Sequence, residues 1–321
     1  MKKSTLTLAI MALMGSSTAF AASPNVQGSS SNTSGVETGE SNHILFGGGN
    51  SGVALNGASS YIDLAGGPIN GSNNAIDDHG NGAIMTPADM GLFGGLSVAQ
   101  VWKADAAVNG GGSTYANFAI NSVRQITTLS FAPQFGGLVI GQVGANSTGS
   151  AADPAQPLSV GEGVYFGEWA PRADGTPPQD STDLNMASSE RTVWYVGDDA
   201  VDTNSMPTAI NATYGVIGIN GVGTTAGGSP DNPNLYTGTL TASYSSGSGS
   251  LSGSISRGAA SVNFNGTNIH DNGRFSNGSN PTIEGRFYNG AEALAGIYTG
   301  SSGAADDVAF GGSKISGTIT P

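Results

Sequence analysis

The 321-residue sequence contains no cysteine, and only 10% of its residues are charged. The absence of cysteine excludes disulfide bonds and thiolate metal sites, and it leads us to expect no cysteine-linked lipid anchor. Basic residues are scarce as well, since 10 Lys and Arg are set against 23 Asp and Glu, for a formal net charge of −13. This acidic balance disfavours nucleic acid and anionic lipid surfaces as partners.

Long apolar stretches are also lacking. Lys2 and Lys3 precede a short apolar run from Leu6 to Met14, and Ala19-Phe20-Ala21 fits a small-x-small cleavage site. The apolar run is shorter than a helix that spans a bilayer. We therefore predict a secretory signal peptide over residues 1–21, a secreted extracellular protein and no stable membrane insertion.

The sequence is rich in glycine, with 52 residues, and in Ser, Asn and Thr. This composition is typical of a secreted all-β protein with many tight turns. Residues 22–42 have few apolar side chains and predict a flexible arm. Short apolar runs between Gly-rich breaks predict an irregular N-terminal ligand-binding β domain over residues 43–170, and the prolines and aspartates of residues 171–185 predict a linker.

Residues 186–321 have the regular alternation of β-strands, as where Leu251, Gly253 and Ile255 alternate with serines. Eight strands are expected: Thr192–Val196, Thr208–Ile217, Tyr236–Tyr244, Gly249–Ser256, Ala260–Asn268, Thr282–Tyr288, Ile297–Thr299 and Val308–Ile319. Eight antiparallel strands can close into a barrel, which removes the exposed edges of an open sheet. We therefore predict an all-β fold whose C-terminal domain is an eight-stranded antiparallel β-barrel.

The most constrained pattern lies near the C-terminus. Ile283, Gly285 and Phe287 share one face of a strand with period two. Asn289-Gly290 ends that strand because both residues tolerate positive φ. Residues 291–295 are expected to form one helical turn before the next strand.

The order of these residues resembles the last hairpins of the hemophilin family, secreted Slam-dependent hemophores with a barrel like that of transferrin-binding lipoproteins and factor H-binding proteins. The matching positions are Gly285, Phe287, Tyr288, Gly290, Ala293, Gly296, Tyr298, Phe310, Gly311, Gly312 and Lys314. Two positions depart from the family pattern, since the acidic residue Glu292 is slightly displaced and Ala295 replaces the first glycine of a pair.

This resemblance implies a hemophore that captures haem non-covalently outside a Gram-negative cell. It also implies delivery of haem to a TonB-dependent outer-membrane receptor and export by a Slam-type outer-membrane protein. One alternative is a host-interaction or colonisation protein that uses the same barrel and a changed N-terminal domain to bind a host protein. Another is a carrier of a different small ligand.

The three histidines, His43, His79 and His270, are the first candidates for haem ligation, because His, Tyr or Met holds haem iron where cysteine is absent. His79 lies in a loop whose glycines allow a flat ligand close to the backbone and whose aspartates could orient the imidazole. We expect His79 to be the first metal ligand and His43, before an apolar run, the second. His79 could instead be a residue of a surface loop, and His43 a residue at the end of a strand. His270 is expected to be exposed.

A haem pocket also needs apolar walls and partners for the propionates. The walls could be supplied by Tyr61, Phe93, Trp102 and Tyr115. Each of these residues could instead belong to the structural core. Lys103 and Arg124 are the cations between residues 22 and 171 and could pair with the propionates, or lie in solvent.

The sequence patterns do not support an enzyme. Gly47-x-Gly49-x-x-Gly52 has the letters of a dinucleotide fingerprint without a following helix, so a Gly-rich loop is the better interpretation. Asp63, Asp77 and Asp78 do not follow the spacing of an EF-hand. Asp198, Asp199 and Asp202 are interpreted as solvated loop charges. We expect a protein that is not an enzyme.

Overall fold

A computed structural model describes residues 25–44, 47–65, 83–85, 99–111, 114–126, 134–144, 147–148, 163–173, 183–221, 229–230, 232–278, 282–301 and 303–321. These residues are almost entirely β, which confirms the predicted fold class. In chain order the strands are β1 (Gln27–Ser30), β2 (Val36–Glu40), β3 (Ser51–Leu55), β4 (Ile62–Asp63), β5 (Ala83–Met85), β6 (Ala99–Asn109), β7 (Thr114–Gln125), β8 (Gly137–Val143), β9 (Ser147–Thr148), β10 (Val164–Ala170), β11 (Thr192–Gly197), β12 (Ala209–Ile219), β13 (Tyr236–Ser245), β14 (Ser248–Arg257), β15 (Ala260–Asn263), β16 (Thr267–His270), β17 (Arg274–Ser276), β18 (Ile283–Tyr288), β19 (Ala293–Tyr298) and β20 (Val308–Thr320). Across these ranges we find no helix with the length and apolar character that a membrane span requires.

The N-terminal part consists of two sheets. The first sheet has the strand order β1-β11-β10-β8-β7-β6-β5, and β9 pairs with β7. A smaller sheet, β2-β3-β4, packs against one face of the first. Their shared core contains Val36, Val53 and Ile62 from the small sheet with Val101 and Trp169 from the first sheet, all buried. The apolar runs of the N-terminal half are therefore the core of this sandwich.

The C-terminal part is a closed eight-stranded antiparallel barrel, as predicted. The strand order is β13-β12-β20-β19-β18-β17-β16-β14, and β13 pairs with β14 to close the ring. Phenylalanines fill the interior: the ring centroids of Phe275 and Phe287 are 5.5 Å apart, and those of Phe264 and Phe310 are 5.0 Å apart. Aromatic edge-to-face packing of this kind fills the inside of a narrow barrel.

The outer wall of the barrel packs against the other face of the first sheet. Ile217, Tyr288 and Ala295 from the barrel share a buried cluster with Phe166 and Tyr195 from the sheet. The Tyr288 hydroxyl also donates a hydrogen bond of 2.8 Å to the carbonyl oxygen of Gln27. Successive side chains of a strand point to opposite faces. The Phe287 ring therefore fills the barrel interior, and the Tyr288 ring attaches the barrel to the first sheet.

The turn after β18 is tighter than expected. Asn289, Gly290 and Ala291 all have positive φ, of 52°, 60° and 74°. Instead of a helical turn over residues 291–295, the chain makes a 3₁₀ turn over Asn289–Ala291 and starts β19 at Ala293. Glu292 then lies beside Lys314, with Oε1 2.6 Å from Nζ. The displaced acidic residue and the closing lysine of the C-terminal pattern thus form an ion pair across the turn.

Three predictions from the sequence are corrected by the structure. The expected flexible arm is wrong for residues 25–42, because β1 pairs with β11 and β2 pairs with β3. The strand at Thr192–Val196 belongs to the first sheet, where it lies between β1 and β10, rather than to the barrel. The eighth barrel strand is instead β17 (Arg274–Ser276), where no strand was predicted, and the single predicted strand Ala260–Asn268 covers β15 and the start of β16. The domain boundaries themselves stay a prediction.

Candidate functional site

The connection between β2 and β3 carries His43, and we call its described residues, 41–44 and 47–50, the His43 loop. The Ser41 N–H donates to the Asn50 carbonyl oxygen at 2.8 Å, which closes the base of the loop. Inside it, the Gly47 N–H donates to the His43 carbonyl oxygen at 2.7 Å. The Gly-rich stretch that spells a dinucleotide fingerprint is therefore part of a short folded loop between antiparallel strands.

The structure brings His43 and Tyr61 together. The His43 N–H donates to the Tyr61 carbonyl oxygen at 2.9 Å, and the Tyr61 N–H donates to Asn42 Oδ1 at 2.8 Å. The Tyr61 hydroxyl donates to Glu37 Oε2 at 2.9 Å. The Tyr61 ring lies over Gly39, where an added Cβ would be 3.2 Å from the ring. The phenol is thus held in one orientation at the edge of the small sheet.

The electrostatics of this edge favour neutral side chains. Partial burial lowers the pKa of the His43 imidazole. Burial also raises the pKa of the Tyr61 phenol, and the hydrogen bond and negative charge of Glu37 raise it further. At neutral pH His43 is therefore a neutral imidazole with a nitrogen lone pair, as iron ligation requires, and Tyr61 stays a phenol.

Next to His43 lies an exposed apolar side chain. Ile44 is 78% exposed, and it is the large hydrophobic side chain that stands out as exposed among the residues that the structure describes. A single exposed isoleucine is ordinary at a protein surface. Here it directly follows His43 in the chain, so the loop presents one apolar side chain next to one possible nitrogen ligand.

The other predicted site residues do not gather around His43. Trp102 lies in the buried cluster between the first sheet and the barrel, on the face opposite the small sheet. Arg124 is buried on that same face, and its Nη2 donates to Gln100 Oε1 at 3.0 Å. These two residues are therefore part of the interior between sheet and barrel, and Arg124 is not a solvated charge.

Lys103 and Tyr115 lie elsewhere on the first sheet. Lys103 follows Trp102 in β6 and so lies on the face that carries the small sheet, where its charge acts on the exposed Asp105. Tyr115 lies at the start of β7, nine residues from Arg124, which corresponds to roughly 30 Å along a strand. One small ligand cannot contact both Tyr115 and Arg124.

Two predicted residues, His79 and Phe93, lie outside the described residues, as do the predicted signal peptide and the aspartates Asp77 and Asp78. His270 is described and exposed at the end of β16, with Nε2 3.1 Å from the Ser276 hydroxyl. This placement agrees with its interpretation as an exposed histidine. Within the described ranges, no three His, Asp or Glu side chains converge in a way that could hold a metal ion.

The prediction that Asp198 is a solvated loop charge is wrong. This residue is fully buried, and its Oδ1 accepts hydrogen bonds of 2.7 Å from both the N–H and the hydroxyl of Ser51, while Oδ2 accepts one of 3.2 Å from the Gly163 N–H. Burial raises the pKa of the Asp198 carboxyl, these hydrogen bonds oppose the rise, and nearby Asp63 adds to it. Because Ser51 directly follows the His43 loop, Asp198 anchors that loop to the first sheet. No local pattern in the sequence signals this pairing over 147 residues.

The fold is thus that of an all-β protein in which a sandwich of two sheets is joined to a closed eight-stranded barrel. No family model matches the sequence. Among solved structures, the apo crystal structure of the haemoglobin receptor HpuA from Kingella denitrificans is similar, with a TM-score of 0.44, 16% identity and coverage of 94% of each chain. HpuA from the same organism in complex with human haemoglobin has a TM-score of 0.33 and 14% identity, over 66% of this chain and 87% of that chain.

The intact Ap-TbpB, with N and C lobes, is similar at a TM-score of 0.24 and 13% identity, over 70% of this chain and 47% of that chain. At TM-scores of this size, the ligands of these proteins do not transfer to this chain.

Proposed function

We propose that this protein is a secreted haem-acquisition protein that captures haem non-covalently at the edge formed by the His43 loop and Tyr61. The observation that carries the proposal is the His43 imidazole, whose pKa is lowered and which is only partly buried next to the exposed Ile44. A neutral imidazole is the commonest metal ligand among side chains, and histidine is an established ligand of haem iron. The C-terminal pattern, which resembles that of hemophilins, supports the same function.

Haem is the cargo in this proposal, and the residues of the chain hold and orient it. His43 would supply one axial nitrogen, and Ile44 and the Tyr61 ring would contact the porphyrin. His79 remains the other proposed axial ligand. Delivery to a TonB-dependent outer-membrane receptor and export by a Slam-type protein belong to the same proposal, as does the absence of catalysis.

The decisive experiment is a hemin titration of the full mature chain, followed by absorbance in the Soret region. We expect saturation at one haem per chain, a shifted Soret band and weaker binding for His43→Ala and His79→Ala, and no change for His270→Ala. His270 is a matched control because it is exposed and distant in the fold. If both His43 and His79 can be replaced with no spectral change, histidine ligation at these positions is wrong.

We also propose a second function, the binding of a host protein, in which the exposed Ile44 next to His43 would be a contact residue. The pair of variants Ile44→Asp and Ile44→Val tests it, because the first introduces a charge and the second keeps an apolar surface. With human haemoglobin as the haem-protein probe, we expect Ile44→Asp alone to weaken the complex. A chain that takes up no hemin but binds haemoglobin through Ile44 would replace the first proposal with this one.

A further inference from the structure

The barrel has a cavity at one rim that is separate from the His43 loop. It has a volume of about 370 Å³ and opens to solvent, and it lies where β12 and β14 end and where β13 and β20 begin. This volume is within the range of small-ligand pockets. Its lining includes a cation, two tyrosines and buried aliphatic side chains, namely Arg257, Tyr236, Tyr298, Val262 and Val308.

The Arg257 guanidinium is fixed in this cavity by its neighbours. Its Cζ lies 4.7 Å from the centroid of the Tyr236 ring, which is a cation–π contact. Nη1 donates to the carbonyl oxygens of Asn220, at 2.7 Å, and Asn234, at 3.3 Å, while Nη2 donates to Asn220 Oδ1 at 2.9 Å. Asn220 is itself held, because its Nδ2 donates to the Asp307 carbonyl oxygen at 2.7 Å. The cation is therefore preorganised, with little rotamer freedom left to lose when a ligand binds.

Arginine has five N–H donors, and these contacts use three of them. Among the described residues, the Nε–H and the second Nη2 hydrogen of Arg257 have no hydrogen-bond acceptor. All the acceptors that hold Arg257 are neutral carbonyl or amide oxygens, so its charge is not paired by a carboxylate there. Two adjacent N–H donors of a guanidinium match the two oxygens of a carboxylate.

We propose that the rim cavity binds a small monocarboxylate with a flat apolar body. Its carboxylate would accept hydrogen bonds from Arg257 Nε and Nη2, and its apolar part would contact Tyr298, Val262 and Val308. The exposed Asp306 also lines the cavity, and its negative charge opposes a dianion more strongly than a monoanion. This disfavours dicarboxylates and phosphate. The site does not depend on haem, so its presence or absence leaves the proposed function untouched.

Benzoate and benzamide are suitable probes, because they have the same shape and differ in charge. With the full mature chain and ligand-observed NMR, we expect benzoate to bind with a dissociation constant on the order of 1 mM. Benzamide and inorganic phosphate should bind at least about tenfold more weakly. No binding of benzoate at about 10 mM, or equal binding of benzoate and benzamide, overturns the proposal.

Two substitutions locate the site. Arg257→Lys keeps the charge but loses the paired donors, and we expect it to weaken benzoate binding by about tenfold. Arg274→Lys is the matched control, since Arg274 is an exposed arginine on β17 outside the cavity, and it should leave binding unchanged. Tyr298→Ala, at a partly exposed position, should weaken binding without removing the cation. Equal affinity in all three variants would place any bound benzoate elsewhere and contradict the assignment.

Discussion

The guanidinium of Arg191 and the carboxylate of Glu168 form an ion pair of 2.6 Å whose side chains are only 2% and 0% exposed. Arg191 also donates to the carbonyl oxygens of Ala304 and Asp307, and Glu168 accepts a hydrogen bond of 2.8 Å from the Gly221 N–H. Arg191 and Glu168 belong to the N-terminal part, whereas the other three residues belong to connections of the barrel. This network therefore fixes the orientation of the barrel on the first sheet.

Removing one member of this pair should be costly. We expect Arg191→Met to lower the free energy of unfolding by about 3–5 kcal/mol, because it leaves the Glu168 carboxylate buried without its counter-ion. The double variant Glu168→Leu with Arg191→Met should be less destabilised than Arg191→Met alone, since no charge then remains buried. Urea denaturation monitored by tryptophan fluorescence measures both.

The ion pair between Lys314 and Glu292 is the matched control. Its length is also 2.6 Å, but its side chains are 19% and 53% exposed. Lys314→Met should therefore cost less than about 1 kcal/mol. If Arg191→Met cost no more than Lys314→Met, the buried pair would not be the connection between sheet and barrel that its geometry indicates.

The barrel interior gives a second prediction. Phe287 is fully buried between Tyr214 and Phe275, at centroid distances of 5.8 and 5.5 Å. Phe287→Ala should destabilise the chain by about 3–5 kcal/mol, through lost burial and the cavity left behind. The exposed Thr241 on β13 is a control position, and Thr241→Ala should change stability by less than about 1 kcal/mol. A similar small loss for Phe287→Ala would place that ring outside the core.

The sequence predicts those structural features that depend on a few neighbouring residues. The alternation around Phe287 places the ring inside the barrel, and Asn289-Gly290 ends the strand, because side-chain period and positive φ are properties of a few neighbouring residues. It does not predict which sheet a strand joins. The strand at Thr192–Gly197 contains a continuous apolar run and is buried at every position, and its pairing with β1 and β10 is a choice between distant partners.

The candidate site was predicted only in part for the same reason. His43 and Tyr61 are 18 positions apart and are brought together by hydrogen bonds between strand ends, which composition does not reveal. Trp102 and Arg124 have the residue types of a haem pocket, yet the sheet places them in its barrel-facing interior. Asp198 appears among other acidic residues as a surface charge, and only the tertiary fold buries it against Ser51.

The Asp198 carboxyl gives a prediction about pH. Its pKa is raised in the folded state, above the ordinary value of 3.8, mainly by burial. The folded protein therefore binds this proton more tightly than the unfolded chain, so the stabilising contribution is present below pH 3.8 and is lost as pH rises through the folded pKa. Asp198→Asn removes this titration, although its amide group would face the Gly163 N–H donor.

We accordingly expect the wild type to be more stable than Asp198→Asn at acidic pH and the difference to shrink as pH rises toward neutrality. Urea denaturation at a series of pH values measures the difference in unfolding free energy. The variant Asp271→Asn, at an exposed position, is the control for general charge effects. A difference that grows with rising pH would mean that the hydrogen bonds from Ser51 and Gly163 outweigh burial and that the pKa is lowered.

The last prediction concerns the titration of His43. Partial burial lowers its pKa below the ordinary value of 6.5, because the low-polarity surroundings disfavour the imidazolium. The unfolded chain then binds this proton more readily, so the contribution of His43 to stability is complete above pH 6.5 and falls as pH drops through the folded pKa.

An NMR titration of the ring protons, assigned with His43→Ala, should give a midpoint below 6.5. If haem is bound through this nitrogen, added hemin should lower the midpoint further, because iron and the proton compete for the same lone pair. A midpoint at or above 6.5 in the haem-free protein would show that burial does not disfavour the imidazolium, and it would remove the observation that singles out His43 as an iron ligand.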